Sequence, residues 1–290
     1  MIALLAAVRA IHFLSLMTIF GGSSYAMLLR RAGLSEPAHR STRNLFFIAA
    51  TFAHISAITW FSLIAGQMSG DWHGSIDPGT LQLTASATRF GQIFVVRLVA
   101  LSALWIMCVV ERADALGLSI LAGLLLASLA PISHAAAAAG GDIAIAGAAN
   151  DAAHLLMAGF WLGGLMVLAL LVPRHWSDPI QLLGPLRIFS IWGSYIVALL
   201  VITGLINAMS ILPSSALSFH NSYFRLLAVK VGLAFAMVAL ASLNRWHFAP
   251  ALRKGEPEAV RRLASSVGIE IALGIAVIAI AGFLGLIGPH

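Results

Sequence analysis

Two histidines at matching places in two apolar segments are the residues of this chain best suited to chemistry. His12 is followed nine residues later by Gly21-Gly22, and His154 is followed nine residues later by Gly163-Gly164. Imidazole is a ligand for copper, zinc, iron and nickel, and an ionisable side chain inside a membrane segment usually has a function. The matching spacing predicts one site built from duplicated halves.

Further residues extend this pair into a candidate metal site. We expect an outer site in which His134 joins the two histidines, with His54 as a deeper relay and Met157 as a soft ligand, because a thioether selects Cu(I). The predicted metal ligands are therefore His12, His54, His134, His154 and Met157.

The segment around His154 places several polar groups on one broad helix face. Asp151, His154, Met157 and Trp161 are spaced i, i+3, i+6 and i+10, a pattern that drifts slowly around a helix. From this position Asp151 could orient the imidazole from behind. Glu270 lies too far along its own segment to pair with Lys230. It is predicted to be an ion or proton relay, or the partner of a nearby polar residue.

Two cations also fall inside apolar segments, at Arg97 and Lys230. Each lies roughly 12 Å below the outer surface, at about 1.5 Å per residue. We interpret them as snorkelling to the interface, since a cation beside a metal ion would oppose its binding. Asn207 and Asn244 are expected to form hydrogen bonds between helices.

The elements that must position these groups are membrane helices. Of 290 residues, 60% are hydrophobic and 10% are charged, and the mean hydropathy is +0.95. This composition excludes an ordinary soluble domain, in which about 25% of residues are charged. Runs of about 20 apolar residues cross a bilayer. Eight such runs are predicted, with no soluble domain between them: 3–29, 44–68, 89–110, 115–133, 146–172, 186–212, 222–244 and 265–287.

Basic residues in the loops indicate the orientation. They concentrate in the first, third, fifth and seventh loops, which we therefore place in the cytoplasm, with both termini in the periplasm. This clustering also explains the formal charge of +6 without nucleic-acid binding. The residues are Arg30, Arg31, Arg40, Arg43, Arg112, Arg174, Arg187, Arg245, Arg253, Lys254, Arg261 and Arg262.

The two halves of the chain resemble each other beyond the histidine segments. Phe90–Arg97 aligns with Tyr223–Lys230, so that the two intramembrane cations correspond. Because four helices separate the repeats, both halves keep the same orientation. The prediction is an all-α polytopic membrane protein with a parallel 4+4 duplication in one domain, its halves covering about 1–134 and 146–290.

No enzymatic motif accompanies these residues: there is no HExxH, P-loop or nucleophile elbow, so an enzyme is not expected. Two alternatives to a metal-ion site remain. Paired histidines could ligate haem axially, as in a b-type membrane cytochrome. Alternatively, the histidines and Glu270 could be the relay groups of a proton-coupled transporter of another solute.

Several short motifs, in order and spacing, resemble the CopD family of bacterial copper-homeostasis inner-membrane proteins. They are Ile132–Ala139, His154–Leu165, Thr203–Ala208, Leu226–Lys230 and Ser242–Arg245. The resemblance implies a multi-pass inner-membrane protein of copper resistance, without enzymatic activity. The resemblance also implies a separate periplasmic CopC-like copper-binding partner, and leaves a homo-oligomer open. From the intramembrane histidines themselves we expect copper to pass from the periplasm toward the cytoplasm.

Overall fold

The protein is described by a computed structural model that covers residues 1–34, 39–110, 114–130, 141–176, 178–211, 220–256 and 258–287. Within these ranges the regular secondary structure is entirely helical. The predicted all-α class is therefore confirmed. His134 lies outside the described residues.

Ten α-helices follow one another in the described part of the chain. A π-helical segment, Asn244–Phe248, joins the eighth to the ninth, and short 3-10 turns occupy Trp72–Ser75, Val172–His175 and Pro179–Leu182. The helices are α1 (Ile2–Arg31), α2 (His39–Ser69), α3 (Pro78–Ala87), α4 (Arg89–Val109), α5 (Ala115–Ala127), α6 (Gly141–Leu171), α7 (Leu183–Ile211), α8 (Ser222–Leu243), α9 (Ala249–Arg253) and α10 (Ala259–Leu284).

Seven helical segments of the described chain are long and apolar enough to cross a membrane. The predicted fourth span, 115–133, corresponds to α5, which has 13 residues. At 1.5 Å per residue α5 is about 20 Å long, whereas the hydrocarbon core is about 30 Å thick. The prediction of eight spans therefore stays a prediction. The seven segments are Ile2–Arg31, Arg40–Ser69, Arg89–Val109, Ala144–His175, Pro179–Ser210, Ser222–Arg253 and Ala259–Leu284.

Polar side chains define where several helices begin. Asp77, Thr88, Asp114 and Asn221 each precede a helix and accept hydrogen bonds from backbone N–H groups of its first turn. These N–H groups have no partner within the helix, and a side-chain cap satisfies them.

Helix α1 is the centre of the fold and packs against α2, α5, α6 and α10. Its closest approach is to α6, at the glycine pairs that the sequence singles out. A Cβ atom on Gly21 would overlap the Gly159 carbonyl, and one on Gly163 would overlap the Met17 carbonyl. Small residues allow such backbone contact between membrane helices. The glycine pairs thus allow α1 and α6 to pack with their backbones in contact.

The two halves differ in how completely their helices close around each other. Helices α1, α2, α4 and α5 form a ring in which each packs against the next. In the second half, α6 packs against α7 and α10, and α8 packs against α10, but α7 and α8 do not pack side by side in the described part of the chain. The second half is consequently open between α7 and α8.

Candidate functional site

His12 is held from both sides in the interior of the first half. Its ring is fully buried, and Nδ1 lies 3.1 Å from both the Ala53 carbonyl oxygen and Ser56 Oγ of α2. Because Ser56 donates its own proton to the Ala53 carbonyl, both oxygens accept from the imidazole. Nδ1 therefore carries the hydrogen and Nε2 the lone pair.

Arg97 of α4 donates a hydrogen bond to the lone pair of His12 Nε2. Its Nη2 lies 2.9 Å from His12 Nε2, while Nη1 donates to the Leu125 carbonyl at 2.7 Å and also to Ser128 Oγ. The side chain is 3% exposed. The interpretation that Arg97 snorkels is therefore wrong: the guanidinium turns inward because three acceptors from α1 and the end of α5 bond its two Nη groups, although its buried Nε has no partner in the described chain.

Aromatic rings cover the first polar pair. The His12 ring meets Trp60 edge-on, with centroids 5.7 Å apart, and Trp60 in turn packs against Phe94. Arg9 lies over the same indole, with Cζ 5.2 Å from its centroid. These contacts complete the burial of the His12 ring.

His154 is oriented in the same way but against α7. Its Nδ1 lies 2.9 Å from Thr203 Oγ1, which donates its proton to the Leu199 carbonyl at 2.7 Å. The hydroxyl must therefore accept from the imidazole, and Nε2 again carries the lone pair. Unlike His12, His154 is only partly buried.

Further polar groups surround His154. Asn150 donates to the Thr203 carbonyl at 3.0 Å and to Asn207 Oδ1 at 2.5 Å. The predicted interhelical role of Asn207 is thus confirmed. The Lys230 ammonium of α8 lies near enough to interact electrostatically with both Asp151 and His154. The second half therefore carries a polar cluster along its open α7–α8 side.

The two histidine environments correspond group by group. In the first half, His12 of α1 donates from Nδ1 to a hydroxyl of α2, and a cation of α4 lies nearby. In the second half, His154 of α6 donates from Nδ1 to a hydroxyl of α7, and a cation of α8 lies nearby. Ser56 corresponds to Thr203, and Arg97 to Lys230. The hydroxyls were missed from the sequence, because a serine or threonine in an apolar helix usually bonds its own backbone.

The remaining predicted ligands are dispersed. His54 lines a shallow groove with Ser102 and Trp105 between α2 and α4, and its buried Nδ1 has no hydrogen-bond partner in the described chain. Met157 is half-buried and packs against the apolar core. Among the described residues, no three histidine, cysteine, aspartate or glutamate side chains lie close enough to hold a metal ion.

Glu270 lies apart from both histidines, on α10. Its side chain is fully buried, and Oε1 accepts a hydrogen bond from Asn244 Nδ2 at the start of the π-helical segment. This contact confirms the prediction that Asn244 forms a hydrogen bond between helices, and it gives Glu270 a polar partner. The relay role of Glu270 stays a prediction.

Comparison with known proteins agrees with this architecture. Residues 1–145 match the family described as copper resistance protein D-like, N-terminal domain, and residues 184–284 match copper resistance protein D. The chain belongs to the copper resistance protein D family. It is accordingly a multi-pass protein of the bacterial inner membrane.

Individual relatives extend over nearly the whole chain. Copper resistance protein D of Pseudomonas syringae pv. tomato is 29% identical over 98% of this chain and 96% of its own length. Inner membrane protein YebZ of Escherichia coli K12 is 28% identical over 98% and 97%. Copper transport protein CutJ of Bacillus subtilis is 29% identical over 94% of this chain, which spans only 50% of that relative. No solved structure matches the chain.

Proposed function

We propose that this protein binds copper within the membrane at His154 and passes it from the periplasm toward the cytoplasm. One observation carries the proposal: Thr203 fixes the His154 tautomer so that Nε2 presents its lone pair in the open half of the molecule. A neutral imidazole with its other nitrogen held by hydrogen bonding is the usual form of a histidine metal ligand.

The other groups near His154 have distinct proposed roles. Met157, one turn along α6, supplies a thioether, and His134 is the proposed third ligand, lying in a segment outside the described residues. Asp151 compensates the charge of Lys230, so that the cation repels an arriving copper ion less strongly.

The first half contributes a second, guarded position. His12 can take copper only after Arg97 has left Nε2, because the guanidinium now occupies the nitrogen that would bind the metal. We propose that His12 and His54 are relay positions visited after His154, rather than the site of first capture.

The correspondence of the two polar environments supports the parallel 4+4 arrangement, with both termini in the periplasm. This proposal places both histidines at the same depth on the periplasmic side. Copper would then arrive from that side, delivered by a CopC-like copper-binding protein. A homo-oligomer that covers the open α7–α8 side belongs to the same proposal.

The metal and haem content of the purified protein tests the proposal. Bound copper without a Soret band supports it. A Soret band would instead favour the b-type cytochrome alternative, which requires two available imidazole nitrogens. Protein that binds neither copper nor haem when both are supplied would contradict both and favour a proton-coupled carrier of another solute.

A further inference from the structure

A second polar cluster lies deep between α6, α10 and the π-helical segment, away from both histidines. Four buried side-chain atoms there have no hydrogen-bond partner in the described chain, out of eight such atoms overall. Buried polar atoms are normally paired, so their concentration at one place indicates a missing bonding partner. The atoms are Trp161 Nε1, Asn244 Oδ1, Ser266 Oγ and Glu270 Oε2.

The cluster centres on the carboxyl group of Glu270. Asn244 Nδ2 donates to Oε1, and the Trp161 indole faces the same carboxyl without completing a hydrogen bond. Ser266 lies one helical turn before Glu270 on the same face of α10. The carboxyl is fully buried, and an isolated ionised carboxylate in such a place is very costly.

No cationic side chain offsets this charge in the part of the chain that the structure describes. Two arginines on elements packed against α10 are engaged elsewhere: Arg245 donates to Ser194 Oγ, and Arg9 donates to the Gly285 carbonyl at the far end of α10. The described titratable and basic residues on elements packed against α10 are Arg9, His12, Tyr25, Arg30 and Arg31 of α1, Asp151 and His154 of α6, Tyr223, Arg225 and Lys230 of α8, Arg245 and His247 of the π segment, and Arg253 of α9.

We propose that Glu270 is a proton-binding site, occupied as a carboxylic acid that pairs with the Asn244 amide. A proton taken up on Oε2 neutralises the carboxylate and converts this oxygen from an acceptor to a donor. Asn244 Oδ1, the unpaired acceptor of the group already bonded to Oε1, is then its partner. One proton thus removes the buried charge and satisfies two of the four orphaned atoms.

The chemistry favours a proton over a metal cation. Hard cations require six or more oxygen ligands, whereas this cluster offers four side-chain oxygens, one each from Asn244 and Ser266 and two from Glu270. It also directs two N–H donors, of Asn244 and Trp161, at the carboxyl, and these donors would repel a cation.

The local backbone connects the site to one membrane surface. Asn244 begins the π-helical segment, and three residues of this segment, Arg245, Trp246 and His247, are exposed. π-Helical turns occur frequently at functional sites because they interrupt the regular bonding ladder. The site is therefore placed to exchange its proton at the end of the molecule where α8 ends, without passing His154.

Infrared spectroscopy of the purified full-length protein tests this proposal. The wild type should show the C=O stretch of a buried protonated carboxyl, shifting to lower frequency in D₂O and disappearing at alkaline pH. Glu270→Gln should remove the band. Glu258→Gln is the matched control, because this exposed glutamate, paired with Arg261 on the surface, should leave the band unchanged.

Thermal unfolding supplies a second readout. Since glutamine is nearly isosteric with a protonated glutamate, Glu270→Gln should unfold within about 4 °C of the wild type. Absence of the band in the folded wild type, its persistence in Glu270→Gln, or a carboxylate band that shifts on addition of sodium would overturn the proposal. None of these outcomes depends on copper binding at His154.

Discussion

Nη2 of Arg97 lies 2.9 Å from Nε2 of His12, so an arginine occupies the nitrogen on which a metal ion would bind. The corresponding histidine of the second half, His154, keeps the same tautomer but stands in an open bundle. The two histidines thus share a tautomer but differ in whether a cation engages Nε2. His12 is therefore closed to a metal ion while Arg97 stays in place, whereas His154 is the proposed position of first binding.

Replacing Arg97 with methionine should destabilise the protein severely. The change removes hydrogen bonds to His12, Leu125 and Ser128 and leaves buried acceptors unpaired. Because buried bonds to charged groups contribute about 1.5–3 kcal/mol each, we expect a loss of at least about 3 kcal/mol. Thermal unfolding in detergent measures this loss. Arg261→Met, at a surface pair, should cost no more than about 1 kcal/mol, and equal losses would contradict the assignment.

A methyl group at Gly21 should separate α1 from α6. The Cβ atom of Gly21→Ala would overlap the Gly159 carbonyl, which belongs to backbone and cannot turn aside. We expect a destabilisation of about 3 kcal/mol, at the upper end of overpacking effects. Gly193→Ala on α7 is the control, since nothing lies within 4 Å of its Cβ position. This variant should be neutral or more stable by up to about 1 kcal/mol.

Removing the Lys230 charge should strengthen copper binding. The ammonium acts electrostatically on His154, and at an effective dielectric constant near 20 its loss should relieve about 1.4 kcal/mol of repulsion, or about tenfold in affinity. Competitive Cu(I) titration of Lys230→Met measures this change. Arg225→Met, which removes an exposed cation from the same helix, should change the affinity little. Weaker binding by Lys230→Met would show that the lysine assists the metal.

The loop helix α3 should loosen in acid. The Thr80 hydroxyl and then the Thr80 backbone N–H donate to Asp77, and these bonds lower the pKa of its carboxyl from the ordinary value of 3.8. The cap is therefore fully formed above that value and is lost as the pH falls through the lowered pKa. Hydrogen exchange of the Thr80 amide should accelerate over this range. Asp77→Asn keeps an acceptor for the Thr80 N–H and should abolish the pH dependence of its exchange. An exchange profile in Asp77→Asn that depends on pH as in the wild type would contradict the role of Asp77 as the cap.

Sequence reasoning predicted the helices well because long apolar runs are recognised by composition alone. It also identified the glycine pairs that join α1 to α6. It predicted as well that Asn207 and Asn244 each form a hydrogen bond to another helix, which they do with Asn150 and Glu270 respectively. The direction of Arg97 could not be predicted, because it depends on acceptors from two other helices, α1 and α5, that come together only in the folded bundle. The opening between α7 and α8 likewise could not be predicted, because nothing in the sequence of either helix indicates it.

The most direct test of the copper site is a Cu(I) titration of His154→Ala beside His247→Ala. His247 is exposed on the π-helical segment and should not contribute to the site. We predict that His154→Ala loses high-affinity copper binding, whereas His247→Ala and the wild type bind with the same stoichiometry and affinity. Unchanged copper binding by folded His154→Ala protein would contradict the account.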